Sequence, residues 1–144
     1  MRPPIAHASA QAAEDAFYDA MQQGDLEAMM ALWADDEDAV CVHPSGARLV
    51  GLAAIRKAFE QLFAQGGVDV RVAAAQTHQG VMVAVHNLVE KVLVSGRAGS
   101  EVVECVATNV YVKAAGGWRI LMHHASPLGE AASPEVGPPP SSLH

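Results

Sequence analysis

The fold is decided by residues 101–127, whose sequence is EVVECVATNVYVKAAGGWRILMHHASP. β-Branched and aromatic side chains dominate this stretch, and such side chains favour extended backbone. Residues 114–117, Ala-Ala-Gly-Gly, supply a turn in its middle, so we predict two long antiparallel strands. Across the turn we expect three facing pairs: Lys113 with Trp118, Tyr111 with Ile120, and Thr108 with His123.

Alternation along these two strands assigns their side chains to two faces. One predicted face holds Val106, Thr108, Val110, Leu121 and His123. The other holds Cys105, Asn109, Tyr111, Trp118, Ile120, Met122 and His124. Both faces are largely apolar, so both must be covered. We expect helices from the first half of the chain on the first face, and a second copy of the chain on the other.

Composition limits the class of protein. The chain has 144 residues and a formal charge of −7 with no Lys/Arg cluster, which disfavours nucleic acid and anionic membranes as partners. With neither a long apolar run nor a leader pattern, a cytoplasmic location is expected.

We predict one domain over residues 1–128 and a disordered tail over the Pro-rich residues 129–144. Cys41 and Cys105 are expected to be buried, reduced thiols.

Three helices precede most of the strands. Residues 9–24 carry apolar side chains at helical spacing, with Ser9 and Gly24 as end signals and with Glu14 and Asp15 assigned to the polar side. Asp25 is expected to cap a second, short helix, and residues 52–64 predict a third. The remaining periodic segments predict strands at residues 39–43, 48–50, 68–72 and 81–94. Helices followed by strands indicate an α+β fold.

Four motifs, in this order, carry a resemblance to a known family: GDLEAMMALWADD, HPSG, LVGLAAIRKAF and GGWRILMHHASP. Over residues 9–127 the chain resembles the SnoaL-like branch of the nuclear transport factor 2-like superfamily. The resemblance implies a cone-shaped, curved antiparallel sheet with three helices on its concave face and a pocket inside the cone. It also implies homodimerisation through the outer sheet face. Members include ketosteroid isomerase, polyketide cyclases, dehydratases and hydrolases, and also proteins without known activity, so the fold does not decide the function.

The resemblance also indicates which residues of this chain occupy the catalytic positions of ketosteroid isomerase. In ketosteroid isomerase the general-base Asp stands just before a proline, and His43, followed by Pro44, occupies that position here. The isomerase's second, protonated Asp falls on Thr108. Its helix Tyr falls on Phe17, next to Tyr18. Thr is a weaker donor than a neutral carboxylic acid and Phe donates nothing, so steroid isomerisation by that mechanism is disfavoured. A histidine in the base position still suits proton transfer near neutral pH.

The candidate catalytic residues are therefore His43, His123 and Thr108. His43 would act as general acid/base, while His123 and Thr108 would bind a developing oxyanion. Each histidine also has a structural interpretation: His43 could fix the turn at Pro44, and His123 could be a core histidine bonded to Thr108.

The candidate ligand-binding residues lie on the helices and on one strand. Phe17, Tyr18 and Trp33 could line the pocket mouth, although helical aromatic side chains are most often core. His86 and Glu90 either orient a base or form a polar pair at the sheet rim, and the rim is favoured. We expect no metal and no cofactor, because the histidines lack metal-binding spacing and His123 and His124 point to opposite faces.

Two functions remain open. The first is an isomerase, cyclase or dehydratase type of enzyme acting on a small, mostly apolar carbonyl compound. The second is a non-catalytic module, a homodimer that binds a small hydrophobic molecule or serves in assembly. If His43 and His123 face one cavity, the enzyme is favoured. If protein groups block either ring from the cavity, the binding or assembly module is favoured.

Overall fold

The computed structural model describes residues 7–44, 46–96 and 99–129. Its helices are Ala10–Gln23 (α1), Leu26–Ala31 (α2) and Leu52–Phe63 (α3). Its strands are Val40–Val42 (β1), Arg48–Val50 (β2), Val70–Gln79 (β3), Val83–Gly96 (β4), Gly99–Ala114 (β5) and Gly117–Pro127 (β6). The tail predicted for residues 129–144 lies, from residue 130 onward, outside the described residues. None of the described helices is long and apolar enough to cross a membrane.

The six strands form one curved, open sheet in the order β2-β1-β6-β5-β4-β3. The three helices lie on its concave face, where their apolar side chains share a core with those of the sheet. The α+β prediction is therefore confirmed. Four neighbouring pairs are antiparallel as predicted, and one pair, β1 with β6, is parallel. The parallel pair is possible because β1 and β6 are far apart in sequence and need no tight hairpin.

Helix α1 begins and ends at the predicted signals. The Ser9 hydroxyl accepts from the Ala12 amide at 3.0 Å, and Gly24 closes the helix with a φ of 65°. One assignment on this helix is wrong, because Glu14 was placed on the polar side and is only 2% exposed. It lies four residues before Tyr18, on the buried stripe, since residues four apart share a helix face.

A bulge between β5 and β6 changes the predicted faces of the hairpin. The pairs of Lys113 with Trp118 and Tyr111 with Ile120 form as predicted, but the register then shifts between Val110 and Tyr111. Leu121 is the additional residue on β6. Beyond it Thr108 pairs with His124, so the expected pair of Thr108 with His123 is wrong. A bulge of one residue reverses the facing of every side chain after it.

The predicted dimer face is also wrong. Asn109, Tyr111 and Ile120 are fully buried, and Trp118 is 6% exposed, because this face of the hairpin lies under the helices. Val106, Thr108 and Val110 lie on the opposite, outer face. The large aromatic side chains and their polar partners thus occupy the core, while the smaller β-branched side chains point outward.

The approach of α1 to the segment before β3 requires glycine at position 67. The Val68 amide donates to the Met21 carbonyl at 2.9 Å, and this contact brings Gly67 against the end of α1. A Cβ atom on residue 67 would overlap the backbone carbonyl of Gln22.

Gly67→Ala should therefore lower the free energy of unfolding by about 2 kcal/mol or more, because neither backbone segment can move without breaking the α1 end. Urea denaturation measures this change. Gly129→Ala is the matched control, since nothing lies within 4 Å of its Cβ position, and it should change stability by less than about 0.5 kcal/mol. Equal stability of the two variants would contradict the close approach.

Candidate functional site

A cavity of about 320 Å³ lies between the helices and the concave face of the sheet. His43 and His123 both line it, as the sequence analysis predicts, together with Glu90 and Cys105. The remaining lining is Met21, Pro44, Leu62, Val68, Val70, Val92, Val94 and Val103. The polar groups thus share a cavity whose other walls are apolar, which is the usual construction of a small-molecule site.

His43 follows β1 at the edge of the cavity and is half-buried. Its ring packs edge-on against Phe59, with ring centres 5.1 Å apart, and lies 6.2 Å from the ring of His123. The turn after β1 is closed by the His43 carbonyl, which accepts from the Gly46 amide at 3.0 Å. The backbone of His43, and not its ring, therefore makes this turn bond. Burial lowers the pKa of the imidazole, so the ring is neutral at pH 7.

His123 lies deeper, 2% exposed, with its ring 4.9 Å from that of Phe17. Its Nδ1 is 2.6 Å from Asn109 Oδ1. The predicted structural partner, Thr108, is not the group that bonds it. The pKa of His123 is lowered to about 3. Burial is the largest cause, and the neighbouring His43 and His124 lower the pKa further. This histidine is therefore neutral across the physiological pH range.

Asn109 is the centre of a buried hydrogen-bond network. Its amide nitrogen donates to Tyr18 Oη and to Tyr111 Oη, both at 3.1 Å. Tyr18 in turn donates to Glu90 Oε2 at 2.6 Å, and Tyr111 donates to Glu14 Oε1 at 2.8 Å. Burial and the adjacent carboxylates raise the pKa of both phenols, so both keep their protons. The network connects helix α1 with three strands of the sheet.

His86 and Glu90 both lie on the concave face, so the expected polar pair at the sheet rim is wrong. His86 Nδ1 is 2.8 Å from Glu14 Oε1, and both side chains are 3% exposed. Gln11 donates to the other oxygen of Glu14 at 3.2 Å. Glu90 bonds Tyr18 instead, and burial raises the pKa of its carboxyl group. Of the two residues, only Glu90 is among the described lining of the cavity.

The described lining of the cavity does not include four other predicted site residues: Thr108, Phe17, Tyr18 and Trp33. Thr108 is on the outer face, where its hydroxyl accepts from Asn87 Nδ2 at 3.1 Å, so it cannot share an oxyanion with His43. Regular alternation along β5 places Thr108 there, because its neighbours Ala107 and Asn109 face the helices. Phe17 and Trp33 are core residues that pack on the Phe59 ring at centre distances of 6.4 Å.

Sequence reasoning missed three members of the network: Glu14, Asn109 and Tyr111. Glu14 could have been found, because an acidic residue on the buried stripe of a helix needs partners there. Alternation groups Asn109 with Tyr111 correctly, but their face was predicted to be the outer one, because without the bulge in β6 His123 falls on the opposite face.

Both cysteines lie in the interior of the protein. Cys41 and Cys105 are free and buried, which confirms the predicted reduced thiols. Burial raises the pKa of Cys41 to about 12, so its sulfur, 3.7 Å from His43 Nε2, remains a thiol and not a nucleophilic thiolate. In the part of the chain that the structure describes, no group of three or more His, Cys, Asp and Glu residues could hold a metal ion.

Burial of a neutral His123 should make stability depend on pH. The unfolded imidazole takes up a proton near pH 6.5, whereas the folded one does so only near pH 3. Because the unfolded state then binds more protons, the free energy of unfolding should fall as the pH drops below 6.5. Between pH 7 and pH 5 the contribution of this residue should be about 2 kcal/mol, measured by urea denaturation.

His123→Gln should lose this part of the pH dependence, and the exposed His78→Gln should keep it. Glu90, whose raised pKa stabilises the fold at lower pH, acts in the opposite sense in all three proteins and cancels in the comparison. An unchanged pH dependence in His123→Gln would show that His123 is not buried in its neutral form.

Comparison with known proteins gives a family. The model of the SnoaL-like domain matches residues 10–130. A structure from Thiobacillus denitrificans, proposed to be a calcium/calmodulin-dependent protein kinase type II association domain, is 35% identical with a TM-score of 0.77, over 86% of this chain and 98% of that one. No curated protein matches the chain.

Two further structures show the range of this fold. A proposed dehydratase of the NTF2-like family from Streptomyces avermitilis is 26% identical, with a TM-score of 0.73, over 82% of this chain and 93% of that one. The CaMKII hub of S. rosetta is 20% identical, with a TM-score of 0.66, over 82% of this chain and 93% of that one. The family match and the shared cone fold lead to one conclusion: the chain belongs to the SnoaL-like domain family of the NTF2-like superfamily.

Proposed function

We propose that the chain binds a small, mostly apolar carbonyl compound in its cavity and catalyses proton transfer on it, as isomerases, cyclases and dehydratases do. One observation carries the proposal. His43 and His123 line the same cavity, and apolar side chains make up most of the other walls. The similarity to the proposed dehydratase of Streptomyces avermitilis supports the same class of chemistry.

His43 is the acid/base group in this proposal. Its ring is neutral at pH 7 and reaches the cavity from a half-buried position, so it can take a proton from the carbon next to a carbonyl group. The resulting imidazolium lies beside the enolate and balances its charge, a role that the sequence predicted for Thr108 and His123. The apolar walls keep water away and strengthen this ion pair. The proton then returns from His43 to the product.

Exchange of carbon-bound protons in D₂O tests this proposal directly. The full chain is incubated with a panel of small cyclic and open-chain ketones, and loss of the proton signal next to the carbonyl is followed by NMR. We expect faster exchange than in buffer for at least one ketone, and a loss of about 10²- to 10⁴-fold in His43→Ala.

His78→Ala is the matched control, because His78 is exposed on β3 and is not among the described lining residues of the cavity. It should exchange at the wild-type rate, and both variants should keep the wild-type unfolding midpoint within a few degrees. Equal rates in wild type and His43→Ala, or no exchange above buffer with any ketone, would contradict the proposal.

A second candidate function, assembly, is favoured by the outer face of the sheet. The similar structure from Thiobacillus denitrificans is described as a proposed association domain, and the one from S. rosetta is described as a hub. The outer face of β4 and β5 presents Val85, Val89, Val106 and Val110, and the described helices lie on the other side of the sheet. We infer that two copies of the chain associate through this face, in addition to any ligand in the cavity.

Sedimentation measures this association. Wild type at micromolar concentration should have a mass of at least two chains of 15.1 kDa, and Val110→Lys should shift it toward one chain because it buries an unpaired charge. Val81→Lys is the control, since Val81 is 83% exposed and should leave the mass unchanged. A wild-type protein that sediments as a single chain would rule out the interface.

A further inference from the structure

We propose that Asn109 holds His123 in one tautomer, and that the inner wall of the cavity therefore binds the hydroxyl group of an uncharged substrate. The proposal rests on the proposed function, because this substrate would occupy the same cavity. It narrows the substrate class from carbonyl compounds in general to those that also carry a hydroxyl group.

The orientation of the Asn109 amide follows from its two tyrosine partners. Tyr18 gives its one hydroxyl proton to Glu90, and Tyr111 gives its proton to Glu14. Both phenol oxygens can then only accept, so the Asn109 side chain must present its NH₂ group to them. The amide oxygen is left to face His123. The two carboxylates thus determine, through the tyrosines, which way the amide points.

This orientation decides the tautomer of His123. Asn109 Oδ1 can only accept a hydrogen bond, so the proton of the 2.6 Å contact must come from His123 Nδ1. A neutral imidazole carries a single ring proton, and burial keeps this ring neutral at physiological pH. His123 Nε2 is therefore unprotonated and can accept a hydrogen bond but cannot donate one.

The unprotonated nitrogen is accessible from the cavity. Within the described part of the chain, the buried side-chain nitrogens and oxygens that lack a partner are His7 Nε2 and Trp33 Nε1. His123 Nε2 is not one of them, although its ring makes its hydrogen bond through Nδ1. Since His123 lines the cavity, Nε2 is open to a ligand there.

The surrounding charges exclude anionic ligands. The described lining of the cavity contains Glu90 but no lysine or arginine. With His43 and His123 both neutral at pH 7, a carboxylate or phosphate would lie near an acidic group without a compensating cation, at a large cost in an apolar cavity. A ketone oxygen directed at Nε2 would also meet a lone pair with no proton between them. A neutral hydroxyl group satisfies Nε2, because it supplies the missing proton.

Nitrogen-15 NMR of the full-length protein at pH 7 tests the tautomer without any substrate. We expect a protonated Nδ1 and an unprotonated Nε2 for His123, and His123→Gln assigns the signals by their disappearance. A protonated Nε2, or an equal mixture of tautomers, would overturn the role of Asn109. This measurement does not depend on catalysis.

Three probes of equal chain length test the ligand class: octan-2-ol, octan-2-one and octanoate, each titrated into the protein while the Nε2 signal is followed. Octan-2-ol should bind roughly tenfold more tightly than octan-2-one, the value of one net hydrogen bond, and octanoate should not bind. His123→Phe should lose the preference for the alcohol, while His124→Gln, on the outward-facing neighbour, should keep it.

The remaining outcomes are distinguishable. Tighter binding of the ketone or of octanoate, or no binding of any probe, would overturn the ligand class. Preference for the alcohol without proton exchange on any ketone would leave this inference standing and would remove the proposed catalysis. Proton exchange without a preference for the alcohol would leave the proposed catalysis standing and would overturn this inference.

Discussion

The structure depends on one buried amide, that of Asn109, which connects the helix layer to the sheet. Glu14 and Tyr18 enter from α1, and Tyr111 and Glu90 enter from the sheet. A buried polar group without a partner costs about 1 to 3 kcal/mol, so α1 can pack in one position only if all of these groups are paired. The network therefore fixes the position of α1 over the sheet, and with it one wall of the cavity.

The bulge at Leu121 makes this network possible. With uninterrupted alternation, His123 and Ile120 would point to opposite faces of β6. Because the bulge adds one residue, Trp118 and Ile120 lie under the helices near the turn, and His123 lies under them further along the strand. The same strand thus contributes core packing at one end and a cavity wall at the other. One residue of register decides whether His123 meets Asn109 or solvent.

The sequence predicts the elements well and the faces poorly. Ser9, Gly24 and the glycines near residue 116 are local signals, and local backbone chemistry determines where helices and strands begin and end. The cavity position of His43 follows from the proline after it, through the family resemblance. The facing of His123, by contrast, depends on a bulge in β6 that no glycine or proline marks, and the prediction that Thr108 shares its face fails for that reason. Glu14 is an intermediate case, since its helical spacing shows the buried position and only its charge suggests otherwise.

The two proposed functions use the two faces of one sheet and therefore do not compete. On β5, Asn109 and Tyr111 point into the core while Thr108 and Val110 point outward, so alternation along a single strand separates the site from the assembly surface. The site and the assembly surface nevertheless lie close together, because Thr108 pairs with His124 directly beside the pair of Asn109 and His123. A second chain packed on the outer face would hold this part of β5 and β6 more rigidly. It would thereby steady the 2.6 Å bond on which the tautomer of His123 depends.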